Sequence, residues 1–82
     1  DPKYIEAYYN RGSIKYALKD YQGAKNDYTK TLEESPNHKN AFLNRGITKE
    51  KLFDIEGACS DWREAYKLGI ERAMSWLQNE CS

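Results

Sequence analysis

The sequence predicts an all-α protein in which two tandem helix-turn-helix units and a closing helix, five helices in all, stack as an α-solenoid. Three observations predict this. The 82-residue chain repeats itself with a period of 34 residues, and apolar residues recur at helical spacing within each unit. Few residues are β-branched, and nowhere do they alternate with polar ones, so strand patterns are absent. With 39% hydrophobic and 32% charged residues, the chain suits a thin structure with a narrow core.

The internal repeat consists of eleven identical residue pairs, each separated by 34 positions. These pairs are Pro2/Pro36, Ala7/Ala41, Asn10/Asn44, Arg11/Arg45, Gly12/Gly46, Lys15/Lys49, Leu18/Leu52, Asp20/Asp54, Gly23/Gly57, Ala24/Ala58 and Asp27/Asp61. Aromatic residues also recur, as Tyr8/Phe42 and Tyr28/Trp62. We therefore expect one domain over residues 1–82, divided into repeat 1 (3–36), repeat 2 (37–69) and a capping helix (70–81).

The first unit begins with a capping residue and a proline. Asp1 is placed to cap the first helix, and Pro2 stands where a helix leaves the backbone amide unbonded. This helix is expected to run to about Leu18. Asp20 is then placed to cap a second helix, whose buried stripe combines small and aromatic residues at helical spacing. That stripe is Ala24, Tyr28, Thr31 and Leu32.

The second unit repeats this order. Ser35 and Pro36 are expected to open its first helix, and Asp54 is expected to cap its second. The counterpart of the buried stripe is Ala58, Trp62, Ala65 and Tyr66.

The chain closes with a shorter helix. Gly69 is a candidate C-cap, and the residues from Ile70 to about Glu80 are predicted to be helical. Its inward residues are expected to be Ala73, Trp76 and Leu77. Because Trp76 lies 34 residues beyond Phe42, its aromatic ring continues the series, and the helix is interpreted as a lid on the open end of the array.

Small residues at equivalent positions predict close helix packing within each unit. Gly12 and Ala24 lie about equally far from the turn, so they are expected to face each other, as are Gly46 and Ala58. One turn further out, Tyr8 is expected to pair with Tyr28, and Phe42 with Trp62. A glycine inside a helix costs roughly 0.5–1 kcal/mol relative to alanine, so its recurrence indicates that packing requires it.

These residues resemble the tetratricopeptide repeat, whose pattern is an aromatic residue, glycine, alanine, a second aromatic residue and a closing proline. The first unit matches through Tyr8, Gly12, Ala24, Tyr28 and Pro36, and the second through Phe42, Gly46, Ala58 and Trp62. The second unit departs from the pattern because Ile70 stands where the closing proline is expected. The resemblance implies a right-handed superhelix, and the Asn-Arg-Gly variant is similar to bacterial members.

Charged residues depart from the family pattern in both units. Arg11 and Arg45 stand where leucine is usual, and Lys15 and Lys49 where tyrosine is usual. Since an aspartate recurs on each facing helix, we predict salt bridges Arg11–Asp27 and Arg45–Asp61. The alternative is that each arginine extends to solvent.

The resemblance implies that the first helices line a concave face that takes an extended peptide or a partner's helix. Carried over position by position, the lining residues are Glu6, Tyr9, Asn10, Ser13, Tyr16, Ala17, Asn40, Leu43, Asn44, Ile47, Glu50 and Lys51. Asn10 and Asn44 are candidates to hold a peptide amide, because their side chains both donate and accept. A hydrogen bond to solvent or to a neighbouring helix is an equal alternative.

A carboxylate clamp of the kind found in chaperone-binding members of the family fits poorly. Asn44 occupies one of its positions. Tyr9 and Ser13, however, stand where such a clamp needs lysine and asparagine.

Catalytic and metal-binding patterns are missing from the sequence, so we expect no enzyme, cofactor or metal. His38 is the single histidine and falls at the turn between the units. Glu33 and Glu34 are interpreted as solvated carboxylates at a helix end. Thirteen basic and thirteen acidic residues give no net charge, which disfavours nucleic-acid binding. No apolar run approaches the length of a membrane span.

The two cysteines allow two interpretations. Folding about Gly69 brings Cys59 and Cys81 to a similar height, so a disulfide that holds the lid is conceivable. Two reduced thiols are the alternative, which we favour at this point.

Three functional hypotheses remain open. The first is a protein–protein interaction scaffold, and the second is a structural spacer or self-associating segment of a longer array. The third is a regulatory appendage of a larger machine. Asp1–Pro2 matches the end of a preceding repeat, which favours a fragment of a longer protein, with Tyr4 and Ile5 facing a neighbour. The residues do not identify the partner. They give little indication of localisation, and the cytoplasm is slightly favoured.

Overall fold

A computed structural model describes residues 2–81, and within them the chain forms helices and no strand. The helices are α1 (Pro2–Ala17), α2 (Tyr21–Glu34), α3 (Lys39–Lys51), α4 (Ile55–Lys67) and α5 (Ala73–Glu80). Each helix packs on the next along the chain, and α1 also contacts α3. This is the predicted all-α stack of two helix-turn-helix units and a closing helix.

Aspartate caps open the second helix of each unit, as the sequence predicts. The Asp20 side chain accepts a hydrogen bond from the backbone N–H of Gly23, and Asp54 accepts one from Gly57. Each cap satisfies an amide that lacks a partner within the helix. The proposed cap at Asp1 lies outside the described residues.

The first helix of the second unit begins later than the sequence predicts. Pro36 lies in a turn, and α3 starts at Lys39. His38 is the N-cap, and its Nδ1 accepts a hydrogen bond from the Ala41 N–H at 3.1 Å. The histidine therefore replaces Ser35 as the residue that opens this helix.

The closing helix is also shorter than expected. Helix α4 ends at Lys67, and Gly69 follows with φ of +110°, a conformation that favours glycine. The chain then turns through Ile70–Arg72, and α5 begins at Ala73. The Arg72 side chain makes no capping hydrogen bond.

The largest buried cluster lies where α3, α4 and α5 meet. It consists of the buried residues Leu43, Ala58, Trp62, Ala65 and Ala73, with Trp76 and Leu77 packed against them. The extents of 36 × 25 × 16 Å agree with a thin structure. Over residues 2–81, no helix is both long enough and apolar enough to cross a membrane.

The small-residue contacts differ in part from those that the sequence predicts. A Cβ atom on Gly12 would lie 3.0 Å from the Tyr28 ring and 3.3 Å from Asp27 Cβ, so these are its nearest neighbours. At Gly46 a Cβ atom would lie 2.6 Å from the Trp62 indole and 3.2 Å from the backbone oxygen of Ala58, in agreement with the predicted approach of Gly46 and Ala58. The glycines thus accommodate aromatic rings.

The expected aromatic pairs are also wrong. Tyr9, not Tyr8, lies beside Tyr28, with ring centroids 5.7 Å apart. Tyr8 instead lies against cationic side chains, with Lys30 Nζ 5.6 Å from its ring centroid. Because adjacent residues on a helix point about 100° apart, a shift of one position changes which ring reaches α2.

The second unit shows the same difference. Trp76 lies beside Trp62, with centroids 5.2 Å apart, and Phe42 lies against Arg45. Tyr66 was expected in the buried stripe of α4, but it is 41% exposed.

Cys59 and Cys81 form a disulfide, with sulfurs 2.07 Å apart and Cα atoms 5.8 Å apart. This corrects the interpretation of two reduced thiols. The turn after Gly69 brings α5 antiparallel to α4, so the end of α5 meets the beginning of α4. The disulfide fastens the closing helix at the end opposite the turn.

Candidate functional site

A bidentate ion pair joins the two helices of each helix-turn-helix unit. Arg11 donates from Nε and Nη2 to the two carboxylate oxygens of Asp27, at 2.7 and 2.8 Å. Arg45 makes the same pair of hydrogen bonds to Asp61, both at 2.8 Å. These are the two salt bridges that the sequence predicts, and their bidentate geometry fixes the rotation of one helix against the other.

A lysine one turn beyond each arginine joins the ion pair. Lys15 Nζ lies 3.2 Å from Asp27, and Lys49 Nζ lies 3.1 Å from Asp61. These lysine contacts are not among the predicted ion pairs, although the shared spacing of four residues places lysine and arginine on one helix face. The Arg11 hydrogen bond lowers the pKa of Asp27, against the opposing effect of burial.

Arg45 also links the two units. Its Nη1 donates to Thr29 Oγ1 on α2 at 3.2 Å. The Arg45 side chain is 17% exposed, whereas that of Arg11 is 52% exposed. The difference arises because α2 covers the face of α3 that is uncovered on α1.

A groove made of two neighbouring pockets lies between α1 and α3, and α2, α4 and α5 contribute lining residues. Its first part is a pocket of about 220 Å³ lined by Ser13, Tyr16, Tyr28, Asn44 and Ile47. A second pocket, of about 310 Å³, shares Tyr16 and Ile47 with the first and adds Glu50, Lys51, Trp62, Trp76 and Glu80. We call the two together the α1–α3 groove.

Hydrogen bonds across the groove fix its polar groups. Asn44 Nδ2 donates to the Tyr9 hydroxyl at 2.8 Å, which joins α3 to α1. Ser13 Oγ lies 3.0 Å from the Tyr28 hydroxyl. Burial raises the pKa of both Tyr9 and Tyr28, so both phenols stay protonated and available for hydrogen bonding at neutral pH.

Eleven of the twelve predicted lining residues fall into three groups. Six of them line the pockets, and Tyr9 supports the groove through Asn44. Four others are exposed on α1 or α3 without lining either pocket: Glu6, Asn10, Ala17 and Asn40. The six are Ser13, Tyr16, Asn44, Ile47, Glu50 and Lys51.

Leu43 does not line the groove. Only 2% of it is exposed, and it belongs to the core cluster with Trp62. The expectation that it faces a ligand is wrong because the helix turns this side chain towards α4.

Four residues of the groove are not among the predicted lining residues. Tyr28, Trp62 and Trp76 were expected only as packing residues, yet they also form its walls. Glu80 was not expected at all, because the 34-residue repeat places it opposite Gly46 rather than at a lining position. The sequence feature that indicates Glu80 is Trp76, which lies four residues before it on the same face of the closing helix.

Among residues 2–81, no group of three or more histidine, cysteine, aspartate or glutamate side chains could hold a metal ion. His38 acts as a helix cap and lies against Tyr9, with ring centroids 4.8 Å apart. The groove therefore offers apolar walls and hydrogen-bonding groups.

Comparison with known proteins agrees with this architecture. Residues 5–38 match the family described as "Tetratricopeptide repeat". A segment of 35 residues is 54% identical to RNA polymerase II-associated protein 3 of Xenopus tropicalis. That match covers 43% of this chain and 5% of the frog protein. The expected bacterial character is not supported by this relative.

The segment that matches the family, residues 5–38, contains α2 and most of α1, and it ends at His38, which caps α3. The second unit repeats its residues 34 positions later. Tetratricopeptide repeats in general mediate protein–protein interaction and are typically not enzymes. Residues 5–38 thus match the tetratricopeptide repeat family, and the internal repeat and the helical stack give the second unit the same architecture.

Proposed function

We propose that this chain is a protein–protein interaction scaffold that binds a peptide or a partner's helix in the α1–α3 groove. The continuity of the groove carries the proposal, since its two pockets share Tyr16 and Ile47 and together span from Ser13 to Glu80. Apolar walls with a few convergent polar groups are typical of binding sites.

Asn44 is the central polar contact in this proposal. Its Nδ2 donates to Tyr9, which orients the amide and leaves the carbonyl oxygen to accept from a peptide N–H. Tyr16 offers a flat apolar ring with a polar tip, which is typical of residues that dominate binding energy.

A random dodecapeptide display library, selected on the immobilised protein, tests the proposal. We expect enriched peptides whose affinity falls about fivefold on a Tyr9→Phe/Asn44→Ala variant, because the hydrogen bond of about 1 kcal/mol from the peptide to Asn44 is lost. The Phe side chain keeps the ring contacts with Tyr28 and His38.

Gln22→Ala/Asn26→Ala is the matched control, because it removes an exposed amide pair of α2 away from the groove. Its affinity should equal that of the unmodified protein. A library that yields no peptide sensitive to the groove variant would contradict the proposal.

A structural role through α1 is a second candidate, favoured by the uncovered face of that helix. Ala41 and Thr48 of α3 are completely buried, whereas their counterparts Ala7 and Ile14 are exposed on α1, Ile14 by 61%. Leu18 is 75% exposed on the same face. A further helix that resembles α2, from another repeat or from a second copy, would cover this face.

Sedimentation velocity over a range of concentrations tests self-association through α1. We expect a concentration-dependent dimer that disappears in an Ile14→Glu/Leu18→Glu variant. A strict monomer at every concentration would rule out self-association through this face.

A further inference from the structure

The second pocket of the groove is rich in aromatic residues. Tyr16, Trp62 and Trp76 line it, and the two indoles lie 5.2 Å apart between ring centroids. Helices α1, α3, α4 and α5 each contribute at least one wall residue. We call this the Trp62–Trp76 pocket.

Two carboxylates give the pocket a local negative charge. Glu50 and Glu80 line it together with a single cation, Lys51. Within residues 2–81, no salt bridge engages Glu50 or Glu80. The chain as a whole is neutral, so this excess of negative charge is a property of the pocket.

A buried donor in the same pocket lacks a partner. Trp62 is 1% exposed, and within the described part of the chain its Nε1 makes no hydrogen bond. A Cβ atom on Gly46 would lie 2.6 Å from both Nε1 and Cδ1. The N–H edge of the indole therefore faces α3, the helix that supplies Ile47, Glu50 and Lys51.

The first unit shows why this donor is unsatisfied. There the Tyr28 hydroxyl, at the position equivalent to Trp62, lies 3.0 Å from Ser13 Oγ. In the second unit Ile47 replaces Ser13 and offers no acceptor. A buried donor without a partner is costly.

We propose that the Trp62–Trp76 pocket receives a lysine or arginine side chain of the bound peptide. This inference rests on the proposed peptide-binding groove. The cationic group lies between the carboxylates of Glu50 and Glu80, and its stem lies on the rings of Tyr16 and Trp76.

An anionic side chain does not fit this pocket. Its carboxylate would meet Glu50 and Glu80 with only Lys51 to offset them, and like charges repel. An aliphatic side chain would fill the apolar part but leave both carboxylates solvated. The two groups of residues together, rings and carboxylates, therefore select a long basic side chain.

The dodecapeptide library gives the test when it is selected in parallel on the unmodified protein and on Glu50→Gln/Glu80→Gln. We expect lysine or arginine to be enriched at one peptide position on the unmodified protein only. Replacing that basic residue with leucine should weaken binding about tenfold. Glu33→Gln/Glu34→Gln removes the same charge from the end of α2 and should keep the enrichment.

Proton–nitrogen NMR of the two indole N–H groups provides a direct readout, because Trp62 and Trp76 are the two tryptophans of the chain. Titration with a selected peptide should shift both indole signals in the unmodified protein. The unchanged spectrum of the free Glu50→Gln/Glu80→Gln protein would show that this variant keeps its fold.

The outcomes separate this inference from the proposed function. Peptides that require Tyr9 and Asn44 but show no basic preference would overturn the basic pocket and leave the groove intact. Equal enrichment of basic residues on the unmodified protein and on the Glu50→Gln/Glu80→Gln variant would also overturn the basic pocket and leave the groove intact. Selection of no groove-dependent peptide would overturn the proposed function itself.

Discussion

Arg45 holds Asp61 with two hydrogen bonds of 2.8 Å across sixteen residues of sequence, and both side chains are largely removed from solvent. Lys49 approaches the same carboxylate to 3.1 Å. One buried anion thus compensates two cations at the α3–α4 contact. The first unit repeats the arrangement with more solvent around the cations, which allows the two ion pairs to be compared within one molecule.

Asp61→Ala is expected to lower the free energy of unfolding by about 3 kcal/mol, because it leaves Arg45 and Lys49 unpaired and close together. Asp27→Ala should cost less, since Arg11 and Lys15 are 52% and 31% exposed and can be solvated. Urea denaturation of both variants measures the difference. Equal losses would show that solvent access to the cations does not decide the cost.

Acid stability should depend on Asp27. The Arg11 hydrogen bond lowers its pKa in the folded chain, so the carboxylate stabilises the fold fully above its unfolded pKa of about 3.9. That contribution is lost as the pH falls through the folded pKa. The stability difference between the unmodified protein and Asp27→Asn should therefore narrow on acidification.

Urea midpoints from about pH 7 to about pH 2 measure that difference. Glu33→Gln, which removes a carboxylate from the exposed end of α2, serves as the control and should follow the unmodified protein. A constant difference for Asp27→Asn across this range would contradict the linkage.

Residue spacing was enough to predict the order of helices and the ion pairs. A 34-residue period fixes which residues are equivalent. Aspartate has a short side chain, so Asp20 and Asp54 reach a backbone N–H of their own helix. Asp27 and Asp61 reach the arginine on the facing helix. Capping and bidentate pairing are local rules with few alternatives. Predictions of caps and bidentate ion pairs therefore hold even when the rotation of a helix about its axis is predicted slightly wrong.

Ring contacts and the groove walls were harder to predict. Choosing between Tyr8 and Tyr9 as the neighbour of Tyr28 requires the rotation of α1 to within about 100°, which the periodicity of one short helix does not define. Glu80 lines the groove because α5 departs from the repeat register after the turn at Gly69. The disulfide likewise depends on that turn.

Alanine substitutions of the helix glycines should change stability by different amounts in the two units. Gly46→Ala places a methyl group 2.6 Å from the Trp62 indole, which is buried and lies against Trp76 with ring centroids 5.2 Å apart. We expect a loss of about 2 kcal/mol despite the gain in helix propensity. At Gly12 the nearest atom, on the Tyr28 ring, is 3.0 Å away, so Gly12→Ala should change stability by less than about 1 kcal/mol.

Gly12→Leu extends the comparison, because its longer side chain must displace both Tyr28 and Asp27. A loss of about 3 kcal/mol is expected. Thermal denaturation followed by circular dichroism measures all three variants. An unchanged melting temperature for Gly12→Leu would refute the close contact, and equal effects of alanine at the two glycines would refute the difference between the rings.

Reduction of the Cys59–Cys81 disulfide should release α5. The bond joins residues separated by 22 positions, and opening a loop of that size costs about 3 kcal/mol. For a domain of this length, such a loss lowers the melting temperature by roughly 10–20 °C. Trp62 and Trp76 lie on the two elements that separate, so their fluorescence should change when reductant is added.

Cys81→Ser provides the control, because it removes the bridge without altering the buried Cys59. Its melting temperature should match that of the reduced protein and should not respond to reductant. Because α5 supplies Trp76 and Glu80 to the groove, both forms should also bind basic peptides more weakly than the oxidised protein. Unchanged stability and unchanged peptide affinity after reduction would show that packing alone holds α5 in place.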